Sequence, residues 1–258
     1  RSRRARRPAT PEPRGSMAWM LFSDFGASDL YVGQVEAVLD RYAPGVRIVH
    51  LLHEAPCFDV CSSAHLLAAL AQRQHRGHVF LTMVDPGVGT ARGGIVARVD
   101  GRTYIGPDNG LLSVIWARGT LKVAWRIAKW PDDASPSFHG RDVFAPVAAA
   151  VATGEFPNET VRQVDAPEVL LPGEDLPRII YVDHYGNTFT GLRGSALSTE
   201  RRLRIRRMEF GHARVFAEAP PGKGFWYVNS VGLVEVAMPG GSAAKMLGLR
   251  VGQEVELL

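Results

Sequence analysis

The sequence is poor in cysteine and has no long apolar run. Its 258 residues include two cysteines, Cys57 and Cys61, whose spacing suits neither a disulfide framework nor a zinc site with a second ligand pair. No apolar stretch approaches the roughly 20 residues that cross a bilayer. Phosphate-loop motifs are missing too: no GKS or GKT follows the glycines, and GVGTARG lacks the spacing of a dinucleotide fingerprint. We therefore expect a reduced, cytoplasmic protein without disulfides or membrane spans.

Excess positive charge is confined to the start of the chain. Residues 1–16 hold six arginines and one glutamate, a net of +5, whereas the whole chain carries +4, which leaves −1 for the rest. That balance argues against a basic nucleic-acid-binding surface. Because residues 1–16 have almost no apolar content, we expect a disordered leader there. We interpret it as vector sequence or an over-extended start before Met17, with an Arg-rich transit peptide as the alternative.

Strand and helix patterns alternate over residues 17–154. AWMLFS, VRIVHLL and HVFLTMV read as buried strands, and DLYVGQVEAVLDRYA has apolar residues at helical spacing. GIVARV and RTYIG flank the turn DG and read as a short strand pair. The alternation predicts an α/β domain, with a mostly parallel sheet covered on both faces.

The alternation of strand and helix patterns ends after Gly154. Repeated prolines make residues 155–177 a predicted linker. Residues 178–258 hold short strand patterns with glycine turns, which predicts a smaller all-β domain. The arginines of Arg201–Arg207 alternate along one such strand, so we interpret them as its solvated face rather than as an anion site.

Polar, glycine-bearing turns follow several of the predicted strands. They are SDFG at 23–26, DPGVGT at 85–90, GPDNG at 106–110, FHGRD at 138–142 and VDHYGN at 182–187. Ligands bind at the carboxyl ends of strands in open parallel sheets, so these turns predict a site on one rim. Taken singly, Asp24 and Asp108 have a plain alternative as turn or cap residues.

A pair of histidines, His50 and His53, could suggest metal ligands. They lie in a strand pattern, however, where residues three apart point to opposite faces. No H-E-x-x-H motif or paired cysteine motif accompanies them. We therefore assign no metal site.

The order of the motifs is more specific than any one of them. SDFG, VDPGVGT followed by Arg92, GPDNGLL, HGRDVFAPVAA, D-x-x-G-N and VNS succeed one another from about Met20 to Leu258. In this the chain resembles the S-adenosyl-L-methionine hydroxide adenosyltransferase family, relatives of the fluorinases and chlorinases. The resemblance implies an α/β domain followed by a small β-barrel. It also implies a homotrimer with sites at subunit interfaces, and hydrolysis of S-adenosylmethionine to adenosine and L-methionine without a cofactor.

The resemblance also implies the catalytic residues. The family's Asp–Arg–His triad maps onto Asp85, Arg92 and His139, which would orient and activate the attacking water. Which of the three is the base stays open. Halide-using relatives carry an uncharged residue in place of Asp85, so water is the expected nucleophile and a halogenase is the alternative. A nucleoside-binding module without catalysis is the alternative from a different class.

Substrate binding is implied for a second set of residues. These are Asp24 for the ribose hydroxyls, Phe58 as an aromatic wall, Asn109 in the GPDNG turn, Asp183 and Asn187 for the methionine end, and Ser230 in the C-terminal loop. The chain departs from the family pattern at Gly191, Val231, Pro239 and Gly240. Val231 stands where a fluorinase has an arginine on the substrate carboxylate.

Overall fold

A computed structural model describes residues 17–258, so the predicted leader at 1–16 lies outside the described residues. The elements in chain order are β1 (Ala18–Ser23), α1 (Leu30–Tyr42), β2 (Arg47–Leu52), α2 (Val60–Ala71), β3 (Val79–Met83), β4 (Gly94–Val99), β5 (Arg102–Pro107), α3 (Ser113–Arg118), β6 (Lys122–Ile127), α4 (Ala145–Ala152), β7 (Val161–Val164), β8 (Leu176–Val182), β9 (Thr188–Arg193), β10 (Leu203–Ile205), β11 (Met208–Phe210), β12 (Phe225–Val228), β13 (Leu233–Ala237), α5 (Ala243–Leu247) and β14 (Glu256–Leu257). None of the helices in this part of the chain is long and apolar enough to span a membrane.

Seven strands form one sheet in the order β2-β1-β3-β5-β4-β6-β7. Strands β2, β1, β3 and β5 are parallel neighbours, which confirms the parallel-rich prediction, whereas β4, β6 and β7 pair antiparallel. The predicted turn between β4 and β5 is present: Asp100 and Gly101 have φ of 47° and 82°. Positive φ at two adjacent residues matches the twist of a tight hairpin.

Helices cover both faces of this sheet, as the sequence predicts. Along β1, Trp19 and Leu21 join the apolar cluster on the side of α1 and α4. Met20 and Phe22 join the cluster on the opposite side, with α2 and α3. The alternation follows from the two-residue period of a strand. Because both faces of β1 and β3 are buried, their carboxyl ends are held rigidly.

The C-terminal strands form two antiparallel sheets, in the orders β12-β13-β9-β8 and β11-β10-β14. This confirms the all-β prediction but corrects the expectation of a closed barrel for residues 178–258. A barrel needs a continuous strand ladder around its circumference. Here the sheet edges meet through isolated bridges, such as Arg178 to Glu254. The second sheet cannot extend them, because its strands have only three, three and two residues.

The segment 155–177, predicted as a linker, lies along the first sheet. Its strand β7 pairs with β6, and the backbone N–H groups of Glu168 and Val169 donate to the buried carboxylate of Asp108. The C-terminal part then packs on α2, where Arg178 forms an ion pair with Asp59 at 3.2 Å. The domain boundaries themselves stay a prediction.

Candidate active site

The ends of β1 and β3 place two carboxylates side by side. The N–H of Asp24, after β1, donates to the carbonyl of Met83 at the end of β3, at 3.4 Å. Asp85 follows β3 two residues later, and its side chain is 11% exposed. The predicted rim at the strand ends therefore brings the SDFG and DPGVGT turns together.

The loop after Asp85 folds back so that Arg92 grips the carboxylate. Nε of Arg92 donates to Oδ1 of Asp85 at 2.9 Å, and Nη2 donates to Oδ2. Such a two-pronged pair fixes both groups in one plane. The return requires glycine at Gly89, whose φ is +80° and where a Cβ atom would lie 2.9 Å from the carbonyl oxygen of Pro136.

The same guanidinium also reaches His139. Nη2 of Arg92 lies 2.9 Å from Nδ1 of the histidine, and Nη1 donates to the carbonyl of Gly93 at 3.1 Å. The rings of Phe144 and Trp130 stand 5.1 and 5.6 Å from the guanidinium carbon. Arg92 is thus held by hydrogen bonds in its plane and by aromatic rings beside it.

His139 lies directly before a π-helical turn, Gly140–Phe144, that continues into α4. Turns of this kind are rare and concentrate at functional sites. A guanidinium can only donate, so Nδ1 of His139 accepts from Arg92 and the ring proton of the neutral form resides on Nε2. Burial and the neighbouring Arg92 charge lower the pKa of His139, so its ring is neutral at pH 7.

A cavity of about 400 Å³ opens over these residues. Its walls include Asp24, Asp85 and His139, with Phe58 at the edge. Phe58 is 79% exposed and has a φ of 62°. Its N–H donates to Asp24 at 3.4 Å. Burial raises the pKa of Asp24, and the nearby Asp85 charge adds to that effect.

Three aromatic residues of this cavity were not assigned a role from the sequence. Phe25, Tyr31 and Phe138 pack against one another with ring centroids 5.5 to 5.7 Å apart, and all three line the cavity. Two weak signals existed: Phe25 belongs to SDFG and Phe138 directly precedes His139. Trp130, whose ring lies 4.6 Å from that of His139, comes from outside every motif.

A second cavity of about 780 Å³ lies in the C-terminal part of the chain. Asp183, Asn187 and Ser230, all predicted to bind substrate, line it. The carboxylate of Asp183 accepts hydrogen bonds from the backbone N–H of Asn187 at 2.8 Å and from its amide at 3.2 Å. This closes the VDHYGN turn and orients both side chains.

A buried carboxylate in this cavity was not predicted from the sequence. Glu235 is fully buried on β13 yet lines the cavity wall. It accepts hydrogen bonds from the hydroxyl of Tyr227 at 2.5 Å and from the amide of Asn229 at 2.9 Å. Burial raises the pKa of Glu235, and the Asp183 charge raises it further.

Asn109 lines neither of these two cavities. Its amide donates to the carbonyl of Val84 at 2.9 Å, and its oxygen accepts from the N–H of Leu111 at 3.1 Å. These bonds tie the GPDNG turn to the end of β3. A substrate contact for Asn109 stays a prediction.

His50 and His53 are in contact, so the expectation that they face opposite ways is wrong. Strand β2 ends at Leu52, which frees His53 from the strand alternation. Its Nε2 lies 2.8 Å from Nδ1 of His50, and its Nδ1 lies 2.8 Å from the hydroxyl of Ser23. Within residues 17–258, no group of three or more His, Cys, Asp or Glu side chains could hold a metal ion.

Comparison with known proteins points to one family. Residues 19–161 match the SAM hydroxide adenosyltransferase N-terminal domain, and residues 177–256 match the C-terminal domain. An (R)-S-adenosyl-L-methionine hydrolase from Thermus thermophilus is 38% identical over 92% of this chain and 97% of its own length. A fluorinase from an Actinoplanes species is more distant, at 25% identity over 90% and 94%. The crystal structure of an uncharacterized conserved protein from Thermotoga maritima superposes with a TM-score of 0.83 at 29% identity, covering 93% of this chain and 99% of that one.

Proposed function

The chain belongs to the SAM hydroxide adenosyltransferase family, and from that premise we propose that it hydrolyses S-adenosylmethionine to adenosine and L-methionine. One observation carries the proposal: Asp85, Arg92 and His139 meet through hydrogen bonds at the edge of a cavity over the strand ends. The three residues, which come from two separate segments of the chain, therefore meet in space. An enzyme, rather than a silent nucleoside-binding module, accounts for that arrangement.

The reaction needs a positioned nucleophile and little else. The oxygen of water bonds to the 5′ carbon of the substrate, and the C–S bond breaks with its electron pair going to sulfur. The sulfonium leaves as a neutral thioether, so no general acid has to protonate it. Adenosine and methionine form, and one proton is released. The protein's contribution is to hold water and substrate in line and to receive that proton.

The geometry favours Asp85 as the group that receives the proton. Each of its oxygens accepts one hydrogen bond from Arg92 and keeps another acceptor site. The acceptor nitrogen of neutral His139 is already taken by Arg92. We propose that His139 orients the water by donating from Nε2, and that Asp85 accepts the water proton and passes it to solvent.

Substrate binding divides between the two cavities. Asp24 supplies two acceptor oxygens for the two ribose hydroxyls, and the aromatic residues around it provide flat surfaces for adenine. Asp183 and Asn187 hold the methionine end from the second cavity. We propose that the two cavities join across a subunit interface in a homotrimer, since they share no lining residue within one chain.

No cofactor enters this mechanism, because the leaving group needs no Lewis acid. We expect full activity after prolonged chelation and dialysis; a loss of activity that one specific metal ion restores would contradict this.

The free thiols of Cys57 and Cys61 support a reducing compartment, and we propose the cytoplasm.

Product analysis in ¹⁸O-labelled water tests the proposed function. Purified protein is incubated with S-adenosylmethionine, with and without chloride, and the products are separated by chromatography and weighed by mass spectrometry. Because the Thermus relative is named for the (R) form, each sulfonium epimer is assayed separately. We expect equal amounts of adenosine and methionine, with the label in the 5′ hydroxyl of adenosine. Absence of adenosine with either epimer, or label in the methionine product, would refute the proposal.

A further inference from the structure

The charged residues that line the two cavities are acidic. The first cavity presents Asp24, Asp29 and Asp85, and the second presents Asp183 and Glu235. No lysine or arginine appears among the lining residues of either cavity within the described chain. His139 is neutral, as argued above, so the only charge that these lining side chains can carry is negative.

Most of these carboxylates have no positively charged partner among residues 17–258. Arg92 neutralises Asp85 from behind the cavity wall. Asp24, Asp183 and Glu235 form no ion pair within 4 Å among the described residues. Glu235 is instead held in place by Tyr227 and Asn229. A buried carboxylate that is fixed but not neutralised favours a cation in the space beside it.

The proposed substrate brings two cations and one anion. Its sulfonium and its α-ammonium group are positive, and its α-carboxylate is negative. The acidic walls match the two cations, whereas the carboxylate meets no positive side chain. Val231 is apolar, and its backbone N–H already donates to the oxygen of Asn229 at 3.1 Å. The hydroxyl of Ser242 accepts from the N–H of Lys245, and the hydroxyls of Ser230 and Ser242 can each still donate, but neither carries charge.

We propose that this enzyme recognises the positive charges of the methionine arm and not its carboxylate, and that it therefore also hydrolyses decarboxylated S-adenosylmethionine. The inference rests on the proposed function and extends its substrate class to sulfonium nucleosides with an aminoalkyl arm. In the added reaction water bonds to the 5′ carbon and the C–S bond breaks toward sulfur. The products are adenosine, 3-(methylthio)propylamine and one proton.

The ratio of kcat/KM values for the two compounds shows whether the enzyme recognises the carboxylate. A site that pairs a substrate polar group with its own buried partner rejects an analogue lacking that group by roughly 10⁴-fold or more. No charged partner for the carboxylate lines the cavities here, so we expect kcat/KM for the decarboxylated compound to lie within about tenfold of the value for S-adenosylmethionine.

The experiment compares the two compounds, in the same sulfonium configuration, by adenosine release and by calorimetric binding. Tyr185→Arg adds a cation to the second cavity, where Tyr185 is 76% exposed, and Tyr185→Gln is the matched neutral control. We expect Tyr185→Arg, but not Tyr185→Gln, to shift the kcat/KM ratio toward S-adenosylmethionine by about tenfold.

The outcomes distinguish the two proposals. If S-adenosylmethionine is hydrolysed and kcat/KM for the decarboxylated compound is more than about tenfold lower, the proposed recognition of the positive charges alone is overturned. The proposed function then still stands. If neither compound is hydrolysed, the proposed function fails, and calorimetry still decides the inference. Dissociation constants of the two compounds that lie within about tenfold of each other support the inference. A larger difference, with the carboxylated compound bound more tightly, refutes it.

Discussion

Arg92 is the residue that joins the candidate triad, and it leaves the other two members with different roles. Its hydrogen bonds fix the carboxylate of Asp85 at the cavity wall, and they occupy the acceptor nitrogen of His139. All three residues could be predicted from the sequence through the family resemblance. Their contact could not be derived, because Arg92 and His139 are 47 positions apart and meet through loop conformations that have no periodic pattern.

Replacing Asp85 by asparagine tests its part in proton transfer. The variant keeps the shape of the side chain but loses the charge and the basic oxygen. We expect the fold to persist and kcat for adenosine release to fall by roughly 10² to 10⁴-fold. Asp132→Asn, an exposed carboxylate in a neighbouring loop, is the matched control and should keep the wild-type rate. A wild-type kcat in Asp85→Asn would remove Asp85 from the mechanism.

We also attribute the expected choice of water over halide to Asp85. Its carboxylate lines the cavity while the guanidinium of Arg92 does not, so an entering anion meets the negative charge first. Two unit charges about 4 Å apart at an effective dielectric of about 20 repel by about 4 kcal/mol, and Arg92 offsets part of this.

We therefore expect adenosine and essentially no 5′-halo-adenosine from the wild-type protein, even in high chloride. The double variant Asp85→Tyr, His139→Ser should hydrolyse more slowly and admit a trace of halide reaction. Liquid chromatography with mass detection measures both products. 5′-Chloro-adenosine as the main wild-type product would establish the halogenase alternative instead.

At the scale of elements, a helix or strand could be predicted when its apolar pattern was long enough. The buried strands β1 and β3 and the amphipathic helix α1 were readable because each carries a full period of its apolar pattern. The β4–β5 hairpin was readable from its DG turn. The pairing of the C-terminal strands was not, since two- and three-residue strands carry too little alternation to fix partner or register. Strand β7, with four residues, was missed because it lies in the proline-rich segment that was predicted as a linker.

Helix α2 contains a pH-dependent element of stability. His65 is buried there with no hydrogen-bond partner for Nδ1, facing Arg118, Asp175, Arg178 and Arg193. Burial, followed by the charge of Arg118, lowers its pKa from 6.5 to about 4, so the ring is neutral in the folded state. Between these values the unfolded chain binds a proton that the folded chain does not. Stability is therefore lost as the pH falls from 6.5 toward 4.

We expect His65→Leu to reduce this acid sensitivity. At 1.36 kcal/mol per pKa unit, the free energy of unfolding of the wild type should fall between pH 7 and pH 4.5 by about 2 to 3 kcal/mol more than that of the variant. Urea titrations at the two pH values measure both changes. His53, His78 and His139, whose pKa values are also lowered, titrate in both proteins and cancel in the comparison. An equal fall in wild type and variant would contradict the assignment to His65.

At the scale of the whole molecule, the residues predicted to bind one substrate, apart from Asn109, lie in two cavities that share no lining residue. The family resemblance implied sites at subunit interfaces, but the residues alone could not show that one chain leaves them in separate cavities. A homotrimer in which the first cavity of one subunit meets the second cavity of its neighbour would complete the site. We expect light scattering to give about three times the chain mass of 28.1 kDa.

Mixing two inactive variants tests the shared site directly. Asp85→Asn disables the first cavity, and Asp183→Asn weakens the second, so each protein alone should release little adenosine. In mixed trimers, a site is intact when its first cavity comes from an Asp183→Asn subunit and its second from an Asp85→Asn subunit. With equal amounts and random assembly, each condition holds half of the time, so co-expression should restore about a quarter of the wild-type activity. The matched control is a double variant that carries both changes and is expressed alone; it should show no restored activity. If each site were built within one subunit, every site in the mixture would carry one of the two changes, and no activity would return.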